Sequence, residues 1–393
     1  MSWRRNLFVM WICQFIAMLG MSLVIPFLPL FVRELGITDV NETAKWSGFV
    51  FSGPFVLSFF LVPFWGYLGD KYGRKLMVIR AIFGLALAQL FIGFSQNVYQ
   101  LLAARLVQGA ISGFLPASLA LISTTTPKEK TGYALGILQT ATSAGTVLGP
   151  FFGGTLADTI GIRPIFYLVA GICSLSGLLV ISLVRENKIQ EDTQKKFSVR
   201  HNLNYIFQFK QLKILLLLIV IAQTGVGFIQ PLFALYVETL NIDKNYLATT
   251  AGVLYGIMGI FTVIAAPFWG KLSEKFQPRK LLMTAAIIGS ICYASHFFLH
   301  NPIPVIIVRA FLGFALGGIL PIIYTLVSHN TPLDRRGGIL GFASSSQILG
   351  NLLGPTLSGL FALQYGVRLG FIISGGIFFL VGLISLRNVK EES

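Results

Sequence analysis

Charged residues are scarce in this sequence. They make up 11% of its 393 residues, whereas a water-soluble domain carries about a quarter. Apolar residues make up 54%, and 34 residues are phenylalanine. A water-soluble fold cannot bury this much apolar surface. The scarcity of charge therefore excludes a soluble globular protein and indicates a chain that crosses a membrane many times.

Cysteine is scarce as well, and all three cysteines lie inside apolar runs: Cys13, Cys173 and Cys292. Their spacing fits neither a metal site nor a disulfide framework, so packing is their expected role. The sequence also lacks a Ser-His-Asp arrangement, a metal-ligand cluster and a phosphate-binding loop for ATP. It therefore predicts a protein that is not an enzyme and that needs no metal and no cofactor.

The net charge of +15 raises the question of nucleic-acid binding. The basic residues are spread over short loops rather than clustered, and no nucleic-acid-binding pattern is present, so we expect no such partner. If both termini are cytoplasmic, 22 basic residues lie on the cytoplasmic side and five on the other. Because retained loops are rich in Lys and Arg, this difference predicts cytoplasmic N- and C-termini.

Apolar runs separated by charged or Pro/Gly/Asn-containing breaks predict twelve transmembrane helices. The N-terminal run is too long for a secretory signal peptide and is interpreted as a retained first span. The twelve predicted spans are residues 7–32, 46–68, 76–95, 99–122, 132–156, 164–184, 213–237, 247–269, 281–299, 303–327, 338–361 and 367–386.

A long polar segment divides the twelve spans into six and six. The predicted domains are an N-terminal six-helix bundle (1–184), a cytoplasmic linker (185–212) and a C-terminal six-helix bundle (213–393). The second part of the linker has two interpretations that the sequence leaves open. It forms either a short amphipathic helix on the membrane surface or a solvated connection.

The two halves are repeats of each other. At an offset of 204 or 205 residues, PFLPLFVRELGI matches PLFALYVETLNI, and TPKEKTGYALG matches TPLDRRGGILG. Arg105 corresponds in the same way to Arg309. The fold class predicted is an all-α polytopic membrane protein of two six-helix pseudo-repeats. Repeats of equal orientation predict an axis along the membrane normal and a substrate path between the halves.

One motif occurs once in each half, as PFWGYLGDKYGRK (63–75) and PFWGKLSEKFQPRK (267–280). In the first copy Gly66 and Gly73 permit close approach and a tight turn, and Arg74 anchors at anionic headgroups. Asp70 is an acid among cations, and Glu274 takes its place in the second copy. The second copy has Gln277 in place of the turn glycine, and Pro278 is inserted after it.

GYLGDKYGRK resembles the signature loop of the major facilitator superfamily. The resemblance implies that Asp70 docks at the start of span 11, near Gly337 and Gly338, where a helix N-terminus favours negative charge. It implies a weaker contact of the same kind for Glu274 at span 5, near Gly132. We interpret the two motifs as conformational latches.

Span 5 carries a pattern of small residues that permits a tight helix crossing and a bend. Its members are Gly136, Gly145, Gly149, Pro150, Gly153 and Gly154. The pattern is similar to the antiporter motif of the twelve-span drug:proton antiporters within the superfamily. The WRRNL start and the TPKEKTG loop resemble those of the MdtG-like subgroup of bacterial multidrug efflux transporters.

Arg105 and Arg309 lie inside predicted spans, each about 9 Å from the nearer end by helix rise. An intramembrane arginine is costly unless it faces a partner or a water-filled cavity. Arg105 and Arg309 therefore either line a cavity or extend to the membrane interface. Gln108 follows Arg105 at helical spacing, and the RLVQG sequence resembles the intramembrane arginine motif of the same exporters.

Carboxylates are absent from the predicted membrane midplane, since all fifteen Asp and Glu lie in loops or at span ends. The candidates for proton coupling are Glu34, Glu238 and His296, although a lone helical histidine is more often structural. A cavity with arginines and without carboxylates favours neutral, zwitterionic or anionic substrates over lipophilic cations. In the superfamily spans 1, 4, 7 and 10 line the path, which adds Gln14, Gln223, Gln230 and Tyr324 to the cavity.

The resemblance implies a secondary active transporter that works by alternating access. Its expected function is the export of drugs or small amphipathic molecules in exchange for protons. A dedicated exporter of an anionic metabolite or siderophore is the alternative. The expected partners are a small-molecule substrate, protons and the lipid bilayer, and the expected form is a monomer in the cytoplasmic (inner) membrane of a bacterium.

Overall fold

A computed structural model describes residues 2–186, 199–273, 275–332 and 335–388 of the chain. Every regular element in these ranges is helical. The helices are α1 (Ser2–Leu23), α2 (Leu28–Glu34), α3 (Val40–Tyr72), α4 (Arg74–Phe94), α5 (Val98–Ile111), α6 (Phe114–Thr125), α7 (Thr131–Ile160), α8 (Ile162–Leu183), α9 (Val199–Gln208), α10 (Lys210–Ile229), α11 (Phe233–Val237), α12 (Leu247–Ser273), α13 (Pro278–Ser295), α14 (Pro302–His329), α15 (Arg336–Tyr365) and α16 (Leu369–Asn388).

Ten helical segments of the described residues are long and apolar enough to cross a membrane. They coincide with ten of the twelve predicted spans. The other two predicted spans are α7 and α15, which are 30 residues long but rich in Gly, Ser and Thr. The prediction of an all-α polytopic fold is confirmed, while the cytoplasmic position of both termini stays a prediction.

Spans 1 and 7 are interrupted rather than continuous. A 3-10 turn at Ile25–Phe27 separates α1 from α2, and another at Gln230–Leu232 separates α10 from α11. Each turn contains a proline, Pro26 or Pro231, which cannot donate the main-chain hydrogen bond of a helix interior. The interruption therefore recurs in both halves because the proline does.

Span 4 is interrupted in one half alone, which the sequence did not predict. α5 ends at Ile111 and α6 begins at Phe114, and Gly113 between them has φ +113°. Its counterpart α14 runs unbroken from Pro302 to His329. Gly113 adopts the left-handed region, which L-residues with a Cβ rarely enter.

The chain divides into two compact units. Unit 1 comprises Met1–Asp39, Phe49–Asp192 and Asp243–Gly256. Unit 2 comprises Val40–Gly48, Thr193–Ile242 and Ile257–Ser393. Each unit thus holds most of one sequence half together with the first turns of one helix from the other half. The predicted domain limits at 184/185 and 212/213 stay a prediction.

In unit 1, α1 packs directly on α7. A Cβ added to Gly145 would lie 2.7 Å from the main-chain nitrogen of Leu19, and side chains at Gly149 and Gly153 would collide with the turn of α1 at Ser22 and Leu23. Such close approach of two backbones requires residues without side chains. The small residues of span 5 therefore determine this helix pair.

In unit 2, α10 packs on α15 in the same manner. A Cβ at Gly350 would lie 2.7 Å from the Val220 carbonyl oxygen, and one at Gly354 would lie 2.6 Å from that of Thr224. Gly354 is the counterpart of Gly149. The two halves thus repeat this helix contact, as the internal sequence repeat predicts.

The tryptophan of each PFWG sequence makes the same hydrogen bond in its own unit. The Trp65 indole N–H donates to the Ala110 carbonyl at 2.8 Å. The Trp269 indole N–H donates to the Phe314 carbonyl, also at 2.8 Å. Buried indole N–H groups need an acceptor, and the repeat supplies one at corresponding positions of α5 and α14.

The second part of the linker, for which the sequence left two interpretations, forms the helix α9. Residues 187–198 lie outside the described ranges. Within unit 2, α9 packs on the start of α15: Ile206 is buried, and the Arg335 guanidinium lies 4.7 Å from the Tyr205 ring centroid. Arg335 also donates to the His201 Nε2 at 3.2 Å. The helix is confirmed for residues 199–208, and its position on the membrane surface stays a prediction.

Candidate functional site

Arg105 and Gln108 form a polar pair on α5. The Arg105 Nη1 donates to the Gln108 Oε1 at 2.8 Å. Gln108 is buried, and Arg105 is partly exposed. The Arg105 Nε is buried and has no hydrogen-bond partner among the described residues. The pair therefore keeps a guanidinium in a fixed orientation with donor capacity to spare.

The position of this pair follows from the packing of α5 on α3. A side chain at Gly109 would collide with the Pro54 carbonyl, so the two backbones meet there. A Cβ on Gly53 would lie 3.3 Å from that of Arg105. Two glycines thus allow the crossing, and the crossing holds the stem of Arg105 against α3.

Arg309, the counterpart of Arg105, lies in a different environment. It is 2% exposed, and its guanidinium carbon lies 3.6 Å from the centroid of the Phe233 ring. Its Nη1 donates to the Met258 sulfur at 3.0 Å. A desolvated cation over an aromatic face is stabilised by the ring quadrupole. The structure thus places Arg309 inside the packing of unit 2, and its predicted cavity role stays a prediction.

Other predicted cavity residues join helices within one unit. The Gln14 side chain on α1 donates to the Thr142 hydroxyl on α7 at 3.2 Å, and the Tyr324 hydroxyl on α14 donates to the Gln347 side chain on α15 at 3.2 Å. Gln14 is buried and its Oε1 has no partner in the described part of the chain.

The other two glutamines of the predicted cavity belong to span 7, in α10 and in the turn that follows it. Gln223 is a buried residue of α10, and Gln230 begins the 3-10 turn that follows this helix. They belong to unit 2, whereas Arg105, Gln108 and Gln14 belong to unit 1.

The small residues of span 5 face two directions. Gly145, Gly149 and Gly153 face α1, as described above. Gly154 faces the first turn of α12, since a Cβ there would lie 2.9 Å from the Thr249 Cα. A Cβ added to Gly136 would meet no heavy atom within 4 Å among the described neighbours. Within unit 1 the motif therefore serves two separate helix contacts.

Asp158 makes the second of these contacts specific. Its two carboxylate oxygens accept from the main-chain N–H groups of Ala248 at 3.2 Å and Thr249 at 2.7 Å, at the N-terminus of α12. A carboxylate is stabilised at a helix N-terminus, where unpaired N–H groups and the helix dipole act together. Sequence reasoning missed this residue. The available signal was its position one turn after Gly154.

Glu186 makes a similar contact at the predicted latch. Its carboxylate accepts from the main-chain N–H groups of Arg74 at 2.8 Å and Lys75 at 2.9 Å, which begin α4. Gly73, with φ +106°, forms the turn before them. The Arg74 Nη1 donates to the Ala120 carbonyl at 2.9 Å. The sequence predicted the turn and missed its acid, because Glu186 lies more than a hundred residues away.

The predicted latch acids themselves are not described. The Asp70 side chain and the whole of Glu274 lie outside the described part of the structure. Gly66 of the same motif has open space at its Cβ position, with no heavy atom within 4 Å in the described residues. The docking of Asp70 near Gly338 stays a prediction.

The three candidates for proton coupling differ in their surroundings. Glu34 is exposed at the end of α2, and Glu238 is partly exposed after α11. His296 is fully buried; its Nδ1 lies 2.7 Å from the Cys292 carbonyl oxygen, and its ring stacks on Phe371 at 4.8 Å. The carbonyl fixes the proton on Nδ1. A second proton on His296 would enter a closed aromatic cluster.

Comparison with known proteins identifies the family. The family model described as Major Facilitator Superfamily matches residues 10–302 and 215–393. Multidrug resistance protein MdtG of Salmonella typhimurium is 35% identical over 394 residues, which cover 100% of this chain and 97% of that protein.

Two solved structures have a similar fold. A bacterial homologue of the human lysosomal transporter Spinster gives a TM-score of 0.80 at 15% identity, over 96% of this chain and 95% of that one. The nucleoside transporter NupG gives a TM-score of 0.81 at 12% identity, over 100% of both chains. At such identity these structures show the fold alone.

The resemblance predicted from the loop and span-5 motifs is thereby confirmed. Helical pseudo-repeats, a matching family model and a full-length relative agree with one another. The chain belongs to the major facilitator superfamily and is a membrane-embedded transporter of small molecules rather than an enzyme.

Proposed function

We propose that this protein is a secondary active transporter that exports drugs or other small amphipathic molecules in exchange for protons. The observation that carries the proposal is the 35% identity, over the whole chain, to a protein named Multidrug resistance protein MdtG. The glycine pattern of α7, packed on α1 and α12 within unit 1, supports it because it is the pattern typical of drug:proton exporters.

In this proposal Arg105 contacts the substrate. The bond to Gln108 orients its guanidinium, and the donors that Gln108 does not use are available to an acceptor on the substrate. Gln14, Gln223, Gln230 and Tyr324 supply further polar contacts along the path. Few polar groups in a largely apolar site suit a transporter that accepts substrates of varied shape.

The proton is carried by a side chain that water reaches in one part of the cycle. Glu34 is the best suited of the three candidates, because it is exposed and needs no helix to open. Glu238 is the second. His296 is the least suited, because its second ring nitrogen is enclosed by the Phe371 and Tyr236 rings.

Alternating access requires contacts that form in one state and break in another. We assign this role to two carboxylate contacts with helix N-termini. The first joins Asp158 to α12. The second is the predicted docking of Asp70 at α15. The moving bodies are the two six-helix bundles, 1–184 and 213–393, joined by the linker 185–212.

An exporter of anionic metabolites or siderophores is the second candidate. It is favoured by the partly exposed Arg105, whose Nε has no partner in the described residues, and by the absence of carboxylates from the middle of the predicted spans. A guanidinium without a nearby acid attracts an anion. The two candidates differ in the charge of the substrate.

Transport by the purified protein in liposomes with an imposed pH gradient distinguishes them. Matched cationic, zwitterionic and anionic amphiphiles are added in turn, and both their uptake and the collapse of the gradient are measured. Drug:proton exchange predicts that cationic or neutral drugs dissipate the gradient as they accumulate. Accumulation of the anionic compounds alone would favour the second candidate, and accumulation without gradient loss would contradict proton exchange.

The cellular setting is part of the proposal. We place the protein in the cytoplasmic membrane of a bacterium as a monomer, with both termini in the cytoplasm. Accessibility of single cysteines placed in the loops of intact cells tests the orientation. Light scattering of the purified protein, corrected for bound detergent, tests the oligomeric state.

A further inference from the structure

A partly open cavity lies within unit 1, beside the break between α5 and α6. Its volume is about 80 Å³, and it lies between α3, α4 and α6. One water needs only about 10–15 Å³, so the cavity has room for a small polyatomic group. Its lining residues are Val62, Trp65, Gly66, Gly69, Arg74, Met77, Arg80, Gly113, Pro116, Ala117 and Ala120.

Arg80 is the central cation of this cavity. Its guanidinium carbon lies 3.7 Å from the centroid of the Trp65 ring, and its Nη2 donates to the Ser112 carbonyl at 3.1 Å. That carbonyl belongs to the break between α5 and α6. The ring and the carbonyl thus hold the guanidinium in place before any ligand binds.

The remaining donors of Arg80 have no partner in the described part of the chain. Its Nε and Nη1 are buried, and no hydrogen-bond acceptor meets them there. Buried donors without acceptors are costly, and a charged group adds to that cost. An acceptor with negative charge would remove both costs.

A second guanidinium lines the same cavity. Arg74 is held by Glu186 through its main chain and by the Ala120 carbonyl through its Nη1. None of the lining residues that the structure describes is acidic. The charge argument therefore concerns Arg80, whose Nε and Nη1 meet no acceptor in the described part of the chain.

The other unit shows that this cavity is not a consequence of the repeat. The residues that correspond to Trp65 and Arg80 are Trp269 and Ala285, which are 3% and 0% exposed. Trp269 packs against Phe314, with ring centroids 5.7 Å apart. In unit 2 apolar packing occupies the place that the cavity takes in unit 1.

We propose that the cavity lined by Trp65, Arg74 and Arg80 binds an oxyanion, a phosphate or carboxylate group, as a site separate from the transport path. Arginine matches the planar, multi-acceptor geometry of such groups. The neighbouring Phe64 on α3 is 49% exposed, as expected of a side that meets lipid. The oxyanion comes either from an anionic lipid headgroup or from a free anion.

The test uses the full-length protein in a neutral detergent. Binding is measured as the rise in unfolding temperature during titration with phosphatidylglycerol, with phosphatidylcholine, and with inorganic phosphate. Arg80→Gln removes the cation. Ala117→Leu adds three carbon atoms to the cavity wall and keeps both arginines. Arg279→Gln is the matched control, because it removes the counterpart of Arg74 in unit 2.

We expect phosphatidylglycerol to stabilise the wild type, and its apparent Kd to weaken about 10- to 100-fold in Arg80→Gln, as for a lost charge-assisted hydrogen bond. Ala117→Leu should weaken it similarly, and Arg279→Gln should not. Stabilisation by inorganic phosphate, lost in the same two variants, would identify a free anion as the source.

Two results would overturn the proposal: no stabilisation of the wild type by either anion, or equal stabilisation of the wild type, Arg80→Gln and Ala117→Leu. If Arg80→Gln does not fold, the comparison of Ala117→Leu with the wild type is sufficient to test the proposal. Transport is not part of this measurement, so its outcome is independent of the proposed export function.

Discussion

The repeat aligns Arg105 with Arg309, yet the two arginines differ in almost every contact. Arg105 is partly exposed and bonded to Gln108, whereas Arg309 is 2% exposed and lies over Phe233. The difference follows from two substitutions between the halves. Leu312 occupies the position of Gln108, and Leu28 occupies the position of Phe233.

The scaffold around the two arginines is the same. Gly109 brings its helix onto the Pro54 main-chain carbonyl of α3, and Gly313 brings its helix onto the Met258 main-chain carbonyl of α12. The main-chain contacts of the small residues are thus the same in both halves, whereas the side chains around the two arginines differ. The fold is therefore symmetric around these two positions, while the candidate site is not.

The largest expected effect is the loss of transport in Arg105→Ala. Loss of a charged group that contacts substrate should lower transport about 100-fold. The amount of folded protein should stay near wild type, because Arg105 is already partly exposed. Transport in liposomes and the elution profile of the purified protein provide the two measurements. Unchanged transport would show that Arg105 does not contact the substrate and would favour the alternative, in which it extends to the membrane interface.

Arg309→Ala should show the opposite pattern. It leaves a cavity beneath Phe233 and removes a desolvated cation–π contact, so we expect the free energy of unfolding to fall by about 3 kcal/mol. Transport per folded molecule should remain within a few-fold of wild type. Phe233→Leu, which restores the residue of the first half, should cost about 1–2 kcal/mol. A stable but inactive Arg309→Ala protein would contradict the asymmetry.

Gln108→Leu tests the same asymmetry from the other side, since it introduces the residue of the second half. Arg105 loses its orienting acceptor, and we expect about a tenfold decrease in transport efficiency, seen mainly in KM. Gln89→Leu, a change of a buried glutamine on α4, is the matched control and should transport like the wild type. Equal behaviour of both variants would show that Gln108 does not position Arg105.

The smallest expected effect concerns the contact of Asp158 with α12, whose counterpart position in the second half is Leu363. Asp158→Asn removes the charge at the helix N-terminus, which is worth about 1 kcal/mol. Modification of Thr249→Cys by a maleimide should then become about fivefold faster, because about 1.4 kcal/mol is tenfold in an equilibrium. The native cysteines are buried and should add little background.

Asp243→Asn is the control for this experiment, because Asp243 bonds only locally, to the main-chain N–H of Asn245 at 2.9 Å among the described contacts. It should leave the rate of modification unchanged. If the rate is also unchanged in Asp158→Asn, the contact between Asp158 and α12 has no part in the conformational cycle.

Much of the scaffold was predictable. Apolar runs located the ten candidate membrane spans of the described residues and the helices α7 and α15. Pro26 and Pro231 explain why spans 1 and 7 are interrupted. The glycines of α7 were predicted to permit a tight crossing, and three of them face α1. These features depend on local composition and on helical spacing, which a sequence displays directly.

The partners of the charged groups were not predictable. Glu186 caps α4 from 111 or 112 residues away, and Asp158 caps α12 from 90 or 91 residues away. The break of span 4 at Gly113 was missed because an isolated glycine in an apolar run is compatible with a continuous helix. The counterpart helix α14 is unbroken, so the tertiary surroundings decide whether the helix breaks at this position.

The sequence by itself determined the membrane setting, the helices and the repeat, because hydropathy, small-residue spacing and internal similarity are properties of the chain read in order. The tertiary structure alone decided which arginine is buried under Phe233, which acid meets which helix N-terminus, and that Arg80 lines a cavity. Charged groups act over a few ångströms, and only the folded chain determines which residues come that close.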